Sequence, residues 1–210
     1  MWANTFTRVL VLCMSLPLLG GCTAVVRAPS EVTSPRTVQL LQHARHTSLL
    51  LTAADQTRLR YAYGDWAWYV EGDEGLMSGA RALFIPSPAG LGRRVIGPAQ
   101  PGETIGQQVG VAVDSTYRFA VEATRVDALI DSLEREFHAS AATPRFNVGR
   151  GLTFVPHPRP YTFANNSNHM VAEWLRALGF EVKGNPAFGF WQLEAAEPDS
   201  ADPAPSRTAP

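Results

Sequence analysis

The stretch Tyr161-Thr162-Phe163-Ala164-Asn165-Asn166-Ser167-Asn168-His169-Met170-Val171-Ala172-Glu173-Trp174-Leu175-Arg176-Ala177-Leu178-Gly179 changes character halfway along. Asn165, Asn166, Ser167 and Asn168 are all residue types whose side chains accept hydrogen bonds from the first N–H groups of a helix. Met170, Val171, Trp174, Leu175 and Leu178 then fall on one helical face, and Gly179 supplies a C-terminal stop. The pattern predicts an amphipathic helix with a polar mouth. Ser167 stands at the positive end of its dipole, where two roles fit: a cap, stabilising by about 1 kcal/mol, or a nucleophile.

Working outward, Leu152 to Pro156 reads as a strand before this helix and Phe188 to Leu193 as a strand after it. Val126, Leu129, Ile130, Leu133 and Phe137 form one buried stripe, so a second amphipathic helix is expected from a cap at Thr124 to about His138. Nearer the N-terminus, Val38–Leu41 and His46–Leu51 read as strands. The second is almost continuously apolar, as a strand covered on both faces is. Arg58 to Tyr63 alternates and reads as another strand, closed by Gly64-Asp65. Glu74–Phe84 is a short helix candidate, and Val109–Val113 a strand with Asp114-Ser115 as its turn. The Pro- and Gly-punctuated segment from Pro86 to Gly102 reads as a long irregular loop. These elements predict an α+β domain, a mostly antiparallel sheet packed against a few helices.

Length and composition bound the function. The chain has 210 residues, 45% hydrophobic and 18% charged, which suits one globular domain with non-globular ends. A net charge of -1 offers no electropositive footprint for a phosphate backbone, so nucleic acid is excluded as a partner. Arg8 followed by the apolar run Val9–Leu19 reads as an export signal, too short to span a bilayer comfortably. Leu19-Gly20-Gly21-Cys22 resembles a bacterial lipobox, which implies cleavage at residue 21 and lipid on Cys22. Thr23 after it resembles the sorting signal for the outer membrane, facing the periplasm. Cys13 leaves with the signal, so the mature protein keeps no free thiol and no disulfide. The expected division is a signal peptide at 1–21, lipidated Cys22 and a tether at 22–36, the domain at 37–193, and a disordered Ala/Pro/Ser-rich tail at 194–210.

Three further segments carry a resemblance: His46-Thr47-Ser48, Ala62-Tyr63-Gly64-Asp65 and Asn166-Ser167-Asn168, with Ala82-Leu83-Phe84-Ile85-Pro86-Ser87 between them and Leu175-Arg176-Ala177-Leu178-Gly179 after. In this order they resemble a bacterial family of unknown function. That family carries His-Thr-Gly, Phe-Gly-Trp-Gly-Asp and Asn-Cys-Asn-Thr-Trp motifs. It in turn looks like the circularly permuted papain-like superfamily, whose NlpC-type relatives cleave cell-wall peptides and whose other relatives act on lipids or amides. The resemblance covers about Val38 to Gly184. It places Ser167 at the cysteine position, His46 at the histidine position and Asp65 as the third group that would orient the imidazole. Ser48 stands where the family has glycine.

The replacement of thiol by alcohol decides the functional expectation. A thiol of pKa about 8.5 ionises readily at a helix N-terminus beside an imidazole, whereas an alcohol must be deprotonated during attack. The resemblance therefore implies a degenerate papain-like cleft, a pseudoenzyme that binds a cell-wall peptide or a lipid. The alternatives are a serine-dependent hydrolase or acyltransferase using Ser167 and His46, and a purely structural envelope lipoprotein. His46 also reads as a buried structural histidine, and Asp65 as a turn residue. No cofactor is expected. Nor is a metal, since His43 and His46, three apart on an extended chain, would face opposite sides.

Overall fold

The computed structural model describes residues 23–72, 85–194 and 197–198. The export signal, Cys22, the helix expected at Glu74–Phe84 and most of the acidic tail lie outside the described residues. The fold is α+β. Eight strands build one antiparallel sheet in the order β11-β6-β2-β3-β4-β5-β8-β7. The strands are β2 (Pro35–His43), β3 (His46–Thr52), β4 (Arg58–Asp65), β5 (Ser87–Ile96), β6 (Ser115–Glu122), β7 (Arg145–Asn147), β8 (Leu152–Tyr161) and β11 (Glu197–Pro198). A second, three-stranded sheet sets β1 (Thr23–Arg27) between β9 (Glu181–Gly184) and β10 (Phe190–Glu194).

Helices α2 (Ala123–Ala139) and α3 (Ser167–Ala177) cover one face of the large sheet. The stripe of α2 buries Val126, Leu129, Leu133 and Phe137, and α3 buries Met170, Val171, Trp174 and Leu175 in the same core as Leu40, Leu49, Leu51, Tyr61 and Val155. Alternation along β3 sends Leu50 to the other face, into a smaller cluster with Leu41, Ile96 and Val109. A π-helical turn at Ala67–Glu71 follows β4 and adds Tyr69 and Val70 to a third cluster with Ala62, Leu152 and Phe154. β3 is thus covered on both faces, the reason its Leu49–Leu51 segment reads as a continuous apolar run.

Four segments differ from expectation. The Pro86–Gly102 segment contains β5, and Gly90 and Gly92 belong to that strand. A Cβ at Gly92 would lie 2.5 Å from the Phe154 ring, and one at Gly90 3.3 Å from Phe154, Trp66 and Val70. Val109–Val113 is not a strand. Ile105–Val109 is a short helix, α1, with Thr104 and Gln107 forming a reciprocal capping box, and the strand comes after it as β6. The expected tether begins with β1, whose Ala24 and Val26 are fully buried. The expected tail begins with Glu194 inside β10, and 197–198 pair with β6.

Candidate functional site

The site begins at the two-residue turn Ala44-Arg45 between β2 and β3. Ala44 takes φ 54, a left-handed conformation that costs a non-glycine residue about 1 kcal/mol. The Asp114 carboxylate accepts its N–H and holds it there. Because the turn falls between them, His43 and His46 are direct cross-strand partners. They therefore share one face, which corrects the expectation of opposite sides. Neither Ala nor Arg signals a turn, so the hairpin was not legible.

At the mouth of α3 the cap is Asn166, not Ser167. The Asn166 Oδ1 accepts from the N–H groups of Asn168 at 3.0 Å and His169 at 3.1 Å, and its Nδ2 donates to the Ala187 carbonyl at 2.8 Å. His169 turns its Nδ1 back to the same Asn166 oxygen at 3.0 Å. Asn168 ties the helix to the hairpin: Thr47 donates to it at 2.6 Å, and it donates to the Arg45 carbonyl at 2.9 Å. Ser167 is left as the first helical residue, and its Oγ lies 3.2 Å from His46 Nδ1. The fold thus brings these two expected site residues together across 121 positions of sequence.

Ser167 is the sealed member of that pair. Ser167 is 1% exposed. The Tyr69 ring packs edge-on against His46 at 5.3 Å between centroids, and the Tyr69 and Tyr161 phenols lie near enough to Ser167 for it to oppose the upward shift of their pKa values. Burial pushes the Tyr161 phenol up to about 12 and Tyr69 further, so both are neutral. Gly64 makes the seal fit, because a Cβ there would lie 2.3 Å from the Tyr69 ring. Burial, then the positive Arg150, then His43 lower the His46 pKa to about 4. Asp65 is buried but not beside His46. Its carboxylate accepts from the Trp68 N–H at 2.9 Å and from the Ser87 hydroxyl, pinning the π-helical turn to β5. It is a turn-fixing residue and does not orient the imidazole.

On the other side of His46 lies a cavity of about 280 Å³. His43, His46, Ser48, Arg60, Asp114 and Arg150 supply its polar wall, and Ala62, Tyr69, Val111 and Leu152 its apolar one. Ser167 is not among the residues that line it. Three side chains in the wall form a connected network. Arg60 Nε donates to Ser48 Oγ at 3.0 Å, Ser48 lies 2.9 Å from His43 Nε2, and His43 Nδ1 lies 2.7 Å from the Ala112 carbonyl. The carbonyl accepts only, so Nδ1 carries the proton and Nε2 accepts, from Ser48 and from Arg60 Nη2 at 3.1 Å. Burial and then Arg60 lower the His43 pKa to about 4, which keeps that neutral tautomer. Arg60, 3% exposed, is lowered by burial to about 10 and stays charged at neutral pH.

His43, Ser48, Arg60, Tyr69 and Arg150 are the residues that sequence reasoning missed as a site. One signal was present: Arg60 sits in the middle of a strand whose neighbours Leu59, Tyr61, Ala62 and Tyr63 are all apolar enough to be buried. An arginine in such a strand needs polar partners, and partners converge where there is a cavity. Among the described residues, no group of three or more His, Cys, Asp and Glu side chains is placed to hold a metal, and no helix is long and apolar enough to cross a membrane. Comparison with known protein families, with curated proteins and with solved structures returns no match.

Proposed function

We propose that this chain is a lipid-anchored envelope protein with a permuted papain-like domain, whose cavity binds an envelope component, a cell-wall peptide or a lipid, without performing chemistry on it. The observation that carries the reading is the burial of Ser167 behind His46, Tyr69 and Tyr161, outside the wall of the cavity. A nucleophile must come within about 3 to 3.5 Å of a substrate carbonyl. Here the space around Ser167 Oγ is taken by an imidazole and two phenols. The order of motifs from His46 to Gly179 supports the papain-like ancestry, and Leu19 to Cys22 supports the anchor. An open, partly polar cavity of this size favours binding over a purely structural role.

One observation favours the enzyme reading: the 3.2 Å contact between Ser167 Oγ and His46 Nδ1 at a helix N-terminus is the geometry of a nucleophile and its base. Labelling by a fluorophosphonate probe separates the two. The binding reading expects no covalent labelling of the wild-type chain at concentrations that fully label a serine hydrolase. It expects the same of Ser167→Ala and of Ser48→Ala, which removes the other hydroxyl beside an imidazole. Labelling of the wild type that disappears in Ser167→Ala would establish the hydrolase or acyltransferase instead.

A further inference from the structure

Three phenylalanines meet at the end of the fold where β1 begins. Phe163 and Phe190 are exposed, at 37% and 52%, and Phe188 between them is half-buried. Phe163 meets Phe188 edge-on at 5.6 Å between ring centroids, and Phe188 meets Phe190 at 6.4 Å. Two separate segments thus supply one apolar surface, and both are held. Phe163 and Ala164 form the exposed tip of a tight turn, closed by backbone hydrogen bonds in both directions between Thr162 and Asn165. Turn tips ordinarily carry Gly, Asn, Asp or Ser, not a phenylalanine. The other segment is pinned at Gly189, whose φ is 70, whose N–H donates to the Pro186 carbonyl at 2.8 Å and whose carbonyl accepts from Gln42 Nε2 at 3.1 Å. A Cβ there would lie 2.8 Å from the Arg45 carbonyl oxygen, so the stretch backs directly on the hairpin turn. The rings are presented on a fixed backbone, where their contact with water costs free energy that an apolar partner removes.

The register of the small sheet says what lies next to them. β1 and β10 run parallel with Thr23 opposite Phe190, so both strands start at this end. Neighbouring strands lie about 4.8 Å apart and successive Cα atoms about 3.8 Å, so the Cα of Cys22 is within about 9 Å of that of Phe190. Acyl chains on Cys22 would therefore enter a bilayer beside the rings. We propose that Phe163, Phe188 and Phe190 form a membrane-docking face, which inserts into the boundary between headgroups and acyl chains of the leaflet that holds the Cys22 lipid. Apolar faces that dock in this way sink about 5 to 10 Å into that boundary. The lipid fixes the position of the domain, and the rings fix its orientation. The proposal rests on the reading of Cys22 as a lipid-attachment site and names the surface that acts with it.

Fluorescence quenching tests it, with the full lipidated chain in vesicles of phosphatidylethanolamine and phosphatidylglycerol that carry nitroxide-labelled lipid. A maleimide dye is placed at Ala164→Cys, beside Phe163, or at Val148→Cys, a position 82% exposed between β7 and β8. With Cys13 removed and Cys22 in thioether linkage, the introduced cysteine is the thiol that reacts. The nitroxide should quench the dye at 164 about twofold or more and leave the dye at 148 unchanged. Adding Phe163→Ser and Phe190→Ser to Ala164→Cys should abolish that quenching. Should the serine variant fail to fold, the comparison of 164 with 148 still decides. No quenching at 164, equal quenching at both positions, or quenching that survives both serines overturns the docking face. Quenching at 164 by a second labelled copy, with none by the lipid, overturns it in favour of a dimer contact. The two readings fail separately. Dye uptake by the chain without an introduced cysteine shows Cys22 free of lipid and removes the anchor, and the docking face with it. A chain that takes no dye, together with an unquenched probe at 164, removes the docking face alone.

Discussion

His43 and His46 are partly buried and held as neutral rings, and that makes the fold sensitive to mild acid. Their folded pKa values of about 4 lie below the ordinary 6.5 of an unfolded chain. Their contribution is therefore complete above pH 6.5 and is lost as pH falls toward 4, because the unfolded state takes up the protons first. His43 faces Arg60, Arg150 and Asp114, and His46 faces Arg150, so the nearby cations oppose protonation of both rings. By pH 5.5 each histidine should have withdrawn about 1 kcal/mol of stability. Urea unfolding at pH 7.5 and 5.5 checks this. The wild type should lose about 2 kcal/mol or more between the two, and a His43→Gln, His46→Gln double variant should show a clearly smaller difference.

Among the elements, α3 is the one whose placement makes the site. Its mouth is held by Asn166 and Asn168, which bond the helix to the Ala187 and Arg45 carbonyls and to Thr47. Asn166→Ala removes the acceptor for two helix N–H groups and the donor to Ala187, and should destabilise by about 2 kcal/mol in urea unfolding. Both amphipathic helices were legible, since each has a clear apolar stripe and polar starts, and so were β2, β3, β4 and β8. The choice of cap was not. Asn165 to Asn168 are equivalent by type, and only the Ala187 loop, 21 residues on, selects Asn166. Gly90 and Gly92 hid β5 because their reason for being glycine is the Phe154 ring, more than 60 residues away in sequence. The Ser167–His46 contact was legible through the motif order alone. The Arg60 network was not, since Ser48 and His43 acquire their roles only once the hairpin turns at Ala44.

At the scale of the whole molecule, the small sheet joins the first described strand to two of the last. β1 pairs in parallel with β10 and antiparallel with β9, with Thr23 opposite Phe190. Phe190, half exposed, packs beside Phe188 and thence Phe163. If Cys22 carries lipid, labelled palmitate fed to expressing cells should appear in the wild-type chain and be absent from Cys22→Ala; retained label would refute the anchor. β1 starts at Thr23, one residue after Cys22, and this fixes a working radius. A flexible tether of 14 residues would let the domain roam about 20 Å from its lipid. If Cys22 carries lipid, a strand that begins at once would leave no such leash and would hold the domain against the headgroups, with three phenylalanines at that end. Under the anchored, ligand-binding reading, the ligand would have to come to the membrane surface, within roughly one domain diameter, about 40 Å. On that reading, material deeper in the wall would stay out of reach, and lipids and the ends of nearby peptides would not.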